Sequence, residues 1–157
     1  MNNVSIDKLK YQPNKLGYNL IILSILLGII GFFTIINFNS FDDNQIKVIP
    51  DFRLALEILF TIFIILLTFL AAVNVKKYSL KWSIITIVIS MYFIIRIFEI
   101  PLDLLKSNQI TTYVFVKAVI FYILTFICLS TAGIYTIIKH NQIQKLNKLK
   151  GETVWQI

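Results

Sequence analysis

Histidine and cysteine each occur once in this chain of 157 residues, and charged side chains make up only 15% of it. Each scarcity excludes chemistry. A single histidine, His140, cannot build a histidine-rich metal centre, an HExxH helix or a serine-histidine triad. A single cysteine, Cys128, leaves no internal disulfide and no CxxC pair, and therefore no thiol redox couple of the kind quinone-linked oxidoreductases need. Cys128 also sits in an apolar run, where a thiol is ordinarily inert packing. No GxxxxGK[ST] phosphate loop occurs, and three scattered acids, Glu57, Glu99 and Asp103, do not by themselves define a reaction. The sequence thus marks no catalytic residue, no metal site and no cofactor site, and it argues against an enzyme.

Apolar residues are what the chain has in excess, at 57% of the sequence. They fall in four runs, at about 16–36, 52–73, 82–100 and 113–138, each long enough to cross the ~30 Å hydrocarbon core of a bilayer as a helix. The first run follows lysines, as a secretory signal does, but it is longer and no small-x-small cleavage site follows it, so it reads as a retained helix. Asp51 after Pro50 reads as a helix N-cap, and Ser79 stands where it can cap the third helix. Pro101 closes that helix. The short connection at 74–81 requires an antiparallel hairpin. The predicted fold is an all-α, four-transmembrane-helix antiparallel bundle, a single domain over 1–157, with a short basic C-terminal extension at 139–157. In that extension Ile143, Leu146 and Leu149 recur at helical spacing among lysines, which predicts that the fourth helix continues into it along the membrane surface.

The formal charge of +7 does not point to nucleic acid, because the basic residues flank the apolar runs instead of forming one patch interleaved with aromatics. Ten lie in alternate polar segments: Lys8, Lys10 and Lys15, then Lys76, Lys77 and Lys81, then Lys139, Lys145, Lys148 and Lys150. The other polar segments hold Lys47, Arg53 and Lys106. This asymmetry predicts a multi-pass cell-membrane protein with both termini in the cytoplasm.

Two patterns inside the runs are candidates for a working surface. Gly17, Ser24, Gly28 and Gly31 fall within an arc of about 60° on the first helix, a face that lets another helix approach closely. Ala118, Thr125, Ala132 and Thr136 make a comparable face on the fourth helix. The second pattern is a polar layer. Tyr92, Arg96, Glu99 and Asp103 share one stripe of the third helix, on the side opposite Ser83, Thr86 and Ser90, and Glu57 and Lys117 come to the same depth from their own helices. Ionisable residues in a span cost about 2.5–3.5 kcal/mol each at the bilayer centre and so are expected to be paired or wet. The layer reads either as an ion-pair network that fixes helix register or as an outward-facing polar pocket. The function these features favour is a non-catalytic membrane protein working through contacts, as an accessory subunit, regulator or immunity-type factor. Its partners would be the lipid bilayer and a membrane protein or a second copy of the chain. The alternative is a small transporter, channel or solute-binding protein.

Overall fold

The structure, a computed structural model, describes residues 13–39, 51–99 and 111–149. These residues form four helices and, among them, no strand: α1 (Lys15–Asn39), α2 (Asp51–Val75), α3 (Leu80–Glu99) and α4 (Thr112–Leu149). All four are long and apolar enough to cross a membrane. The chain is therefore the all-helical bundle its hydropathy predicts.

Local chemistry sets the helix ends. Asn14 is the N-cap of α1: its side-chain Oδ1 accepts the Gly17 N–H at 2.9 Å, satisfying one of the free amides of the first turn. Thr111 does the same for α4, accepting from Val114 N–H at 3.4 Å. The α2–α3 connection is a Schellman turn, in which Ser79 N–H donates to the Asn74 carbonyl and Tyr78 N–H to the Val75 carbonyl. Such a turn needs one left-handed residue, a place normally held by glycine. Here it is Tyr78, at φ 58°, a conformation that costs a non-glycine residue about 1–2 kcal/mol.

In the bundle α4 packs along both α1 and α3, while α2 leans more lightly between α1 and α3. The close helix pairs use small residues. Gly28 and Gly31 of α1 face Thr125, Phe121 and Tyr122 of α4, so that a Cβ at Gly31 would lie 3.1 Å from the Tyr122 ring. Gly133 of α4 meets α3 still more closely, and a Cβ there would come within 2.6 Å of Ile87 and 3.0 Å of the Ser83 carbonyl. Ser24, Ser83, Thr86, Thr125 and Thr136 are fully buried in these seams. Each donates its hydroxyl hydrogen to a carbonyl three or four residues earlier, which leaves none of these five hydroxyl hydrogens unpaired.

α2 is docked unevenly. Thr68, Ala71, Ala72 and Val75, towards its C-terminus, are buried, whereas Phe52, Leu59, Phe60 and Phe63 towards its N-terminus are exposed. Two apolar clusters result, one around Ile35, Ile97, Ala118 and Tyr122 and the other around Ile21, Ala72, Val75, Ile89, Leu129 and Ala132.

Arg96 and the face of Ser83, Thr86 and Ser90 are all buried, against different neighbours. α3 has neighbours on two sides: Ser90 accepts a hydrogen bond from Ser130 of α4 at 2.9 Å, and Arg96 turns to α2. The fourth helix does continue into the basic extension, running unbroken to Leu149. Thirty-eight helical residues span about 57 Å at 1.5 Å per residue, well beyond the thickness of a bilayer core, so α4 continues past the span without a break at Lys139. Asp51 is the first residue of α2, while its side chain and Pro101 lie outside what the structure describes.

Candidate functional site

The bundle gathers polar side chains at two places. The first is the predicted layer, of which the structure brings part together. Arg96, only 4% exposed, forms an ion pair with Glu57 across the α2–α3 boundary, Nη2 to Oε2. The guanidinium also lies over the ring of Tyr92 one turn earlier, 5.8 Å from its centroid, a cation–π arrangement. The Tyr92 ring in turn contacts Phe60 of α2 and Phe93 of α3, with centroids 5.7 and 5.6 Å apart. From α4 comes Tyr122, 2% exposed, whose hydroxyl interacts electrostatically with Arg96.

Lys117 does not join them. It is exposed on the bundle exterior, with its ammonium 4.3 Å from the centroid of Tyr113, its own i−4 neighbour. The reason is angular: Ala118 is the fully buried residue of that turn, and its neighbour Lys117 is rotated by about 100°. Glu99 is the last described residue of α3 and its side chain lies outside the described part, as does all of Asp103.

Beside the ion pair is a cavity of about 20 Å³ between α1, α2 and α3, closed by Tyr122 of α4. Ser24, Thr61, Thr68, Tyr92, Arg96 and Tyr122 supply its polar lining. Ser24, Gly28 and Gly31, from the predicted small-residue face, are buried along α1, and Gly28 and Ser24 border the same cavity. Gly17 belongs elsewhere. A Cβ at that position would sit 2.5 Å from Asn14 Nδ2, so its small size makes room for the cap of its own helix.

That cap is the centre of the second polar group, at the opposite end of the bundle. Asn14 is 1% exposed and ties three helices together. Its Nδ2 donates to Thr136 Oγ1 of α4 at 2.8 Å and to the Val75 carbonyl of α2 at 3.3 Å, and its backbone N–H donates to the Lys76 carbonyl at 2.9 Å. Next to it, His140 of α4 reaches the strained turn. A carbonyl only accepts, so His140 Nδ1–H donates to Tyr78 O at 2.8 Å, and in the neutral ring Nε2 accepts from the Gln144 amide at 2.9 Å. Burial, followed by the neighbouring Tyr135 phenol, pushes the Tyr78 hydroxyl pKa above its ordinary value.

Asn14, Tyr122, Gly133 and His140 are partners that sequence reasoning did not single out. Two carried a readable signal. Asn14 stands two residues before the first apolar run, a usual place for an N-cap. Tyr122 shares the helical face of Ala118 and Thr125.

What this arrangement can do chemically is limited. Among the described residues no group of three or more histidine, cysteine, aspartate or glutamate side chains stands together to hold a metal ion. The Arg96–Glu57 pair neutralises itself inside one chain. Comparison with family models, with curated proteins and with solved structures finds no match to this chain.

Proposed function

We propose that this is a non-catalytic integral membrane protein that works through contacts, as an accessory subunit, regulator or immunity-type factor of a membrane assembly. The observation that carries this reading is the cavity at the charged layer. At about 20 Å³ it is on the scale of a water molecule or two, whereas small-molecule sites occupy about 300–1,000 Å³. Its charges are also already matched to each other. The polar layer then serves the fold, and the surfaces left for function are the helix exteriors. α2 presents the most extensive of these, a largely apolar face running from Phe52 to Val73.

The asymmetry of lysines supports a placement in the cell membrane with both termini in the cytoplasm. Lys15, Lys76, Lys77, Lys81 and Lys139 belong to the end of the bundle where Asn14 sits, which in this reading is the inner face. Arg96 and Glu57 would then lie towards the outer leaflet.

Purification in mild detergent tests the proposal. A stoichiometric membrane-protein partner, or a homo-oligomer, is the expected outcome. A monomer whose thermal stability rises with a particular small solute would replace this reading with that of a solute-binding protein, because a ligand that binds only the folded state raises apparent stability.

A further inference from the structure

α2 is held unlike its neighbours. From Phe52 to Phe63 each of its described side chains is exposed except Glu57 and Thr61, and no described side chain of α2 is buried before Thr68. The other helices do bury residues in that half of the bundle: Gly28 and Ile35 of α1, Arg96 and Ile97 of α3, Ala118 and Tyr122 of α4. The difference matters in a bilayer. Lipid tails are as apolar as leucine and supply no hydrophobic drive to dock, so docking depends on close packing and on polar contacts. Close packing belongs to the C-terminal part of α2, where Ala71 and Ala72 are fully buried and Asn14 bonds the Val75 and Lys76 carbonyls. In the N-terminal half Thr61 directs its hydroxyl hydrogen to its own helix, at the Glu57 carbonyl. What reaches across is Glu57 to Arg96, with the Phe60 ring against that of Tyr92.

We propose that α2 is a lateral gate, hinged at its C-terminal end and latched shut by the Glu57–Arg96 ion pair. Its 25 residues include no glycine or proline at which to kink, so it moves as a rod. The arm from Thr68 to Phe52 is about 24 Å at 1.5 Å per residue, and a small tilt at the buried end separates the two charged side chains. Segments with few buried contacts are also those that open most readily. Opening exposes the faces of α1 and α3 that carry Gly28 and Phe93, and with them Tyr122 of α4, all of which border the seam that α2 covers. One ion pair then decides which surface the bundle presents. The gate is a property of the isolated chain and stands whether or not a partner is found.

Spin-label distances in lipid nanodiscs test this on the full chain, with Cys128→Ser removing the native thiol. One pair of labels, at Leu59 of α2 and Ile120 of α4, reports the N-terminal half of the gate. A second pair, at Val73 and Ile134, reports the hinge end, and all four positions are exposed, so the labels stay out of the core. Because α4 packs on the far side of α1 and α3 from α2, Glu57→Gln should lengthen the Leu59 to Ile120 distance by several ångström and leave the Val73 to Ile134 distance unchanged. An unchanged Leu59 to Ile120 distance overturns the proposal. Equal changes in both pairs also overturn it, because the whole bundle would then have loosened. If Glu57→Gln does not fold, the paired change of Glu57→Leu with Arg96→Met, which leaves no buried charge without its partner, is read by the same criteria.

Discussion

Arg96 and Glu57 show how a single pair can report its surroundings. Breaking a buried ion pair by removing one partner typically costs about 3–5 kcal/mol, whereas a solvated pair is worth about 0–1 kcal/mol. Arg96 is almost fully buried and the Glu57 side chain is 19% exposed, so the environment sits nearer the first case. Arg96→Ala is expected to lower unfolding stability in detergent markedly, as is Glu57→Ala, and the double variant should lose less than the sum. Additive, small effects in thermal or denaturant unfolding would show two independent, solvated side chains. Lys117→Ala provides the contrast. Its ammonium contacts only an exposed aromatic ring of its own helix, so its removal should change stability little. Asn14 works at the same scale and by the same logic. One buried amide there bonds two backbone groups, the Gly17 N–H and the Val75 carbonyl, and reaches a threonine on α4, while the Asn14 backbone N–H bonds the Lys76 carbonyl, which makes a residue outside the apolar spans part of the interior.

Between elements, the bundle depends on how closely backbones approach. α4 reaches α3 through Gly133, where a single added methyl would press on Ile87 and on the Ser83 carbonyl; backbone cannot move aside as a flexible side chain can. Gly133→Ala should therefore destabilise by about 1–3 kcal/mol, the usual range for overpacking, although alanine is the better helix former. On α1 the contrast is between neighbours. Gly28→Leu drives a large side chain against Phe93 and Thr125, while Ile29→Leu preserves volume. Detergent unfolding should show a much larger loss for the glycine change, and equal small losses would mean that α1 is not held by this face. α2 follows a different rule. Its fixed points are its C-terminal third and the Glu57–Arg96 pair, and the helix between them borders the crevice.

For the whole molecule, antiparallel packing brings Lys15, Lys76, Lys77, Lys81 and Lys139 to one end. If that end faces the cytoplasm, reporter fusions after Lys77 and after Lys150 should read cytoplasmic and fusions near Asp43 and Lys106 external. The reverse pattern would invert the protein and place the Arg96 layer in the inner leaflet. The unbroken length of α4 adds a second consequence of scale. A helix of about 57 Å carries its last turns, with Lys145 and Lys148, clear of a core about 30 Å thick. Whatever meets those turns therefore meets a rigid continuation of the span.

The number of helices, their approximate limits and their apolar character were legible in the sequence, because a bilayer's thickness demands runs that only composition and length need to satisfy. The small-residue face of α1 was legible for a similar reason, since helical periodicity alone places Gly28 and Gly31 together. Depth was legible too, and it suggested Arg96, Glu57 and Lys117 as one layer. Depth is a single coordinate, however, and two residues at one level meet only if their helices are also rotated towards each other. That rotation is decided by packing: it turned Glu57 to Arg96, set Tyr122 beside them and left Lys117 on the exterior. The same holds for Asn14 with Thr136 and for Tyr78 with His140, pairs separated by 122 and 62 residues. Periodicity within one helix carries no information about the azimuth of another, so these contacts belong to the tertiary structure alone.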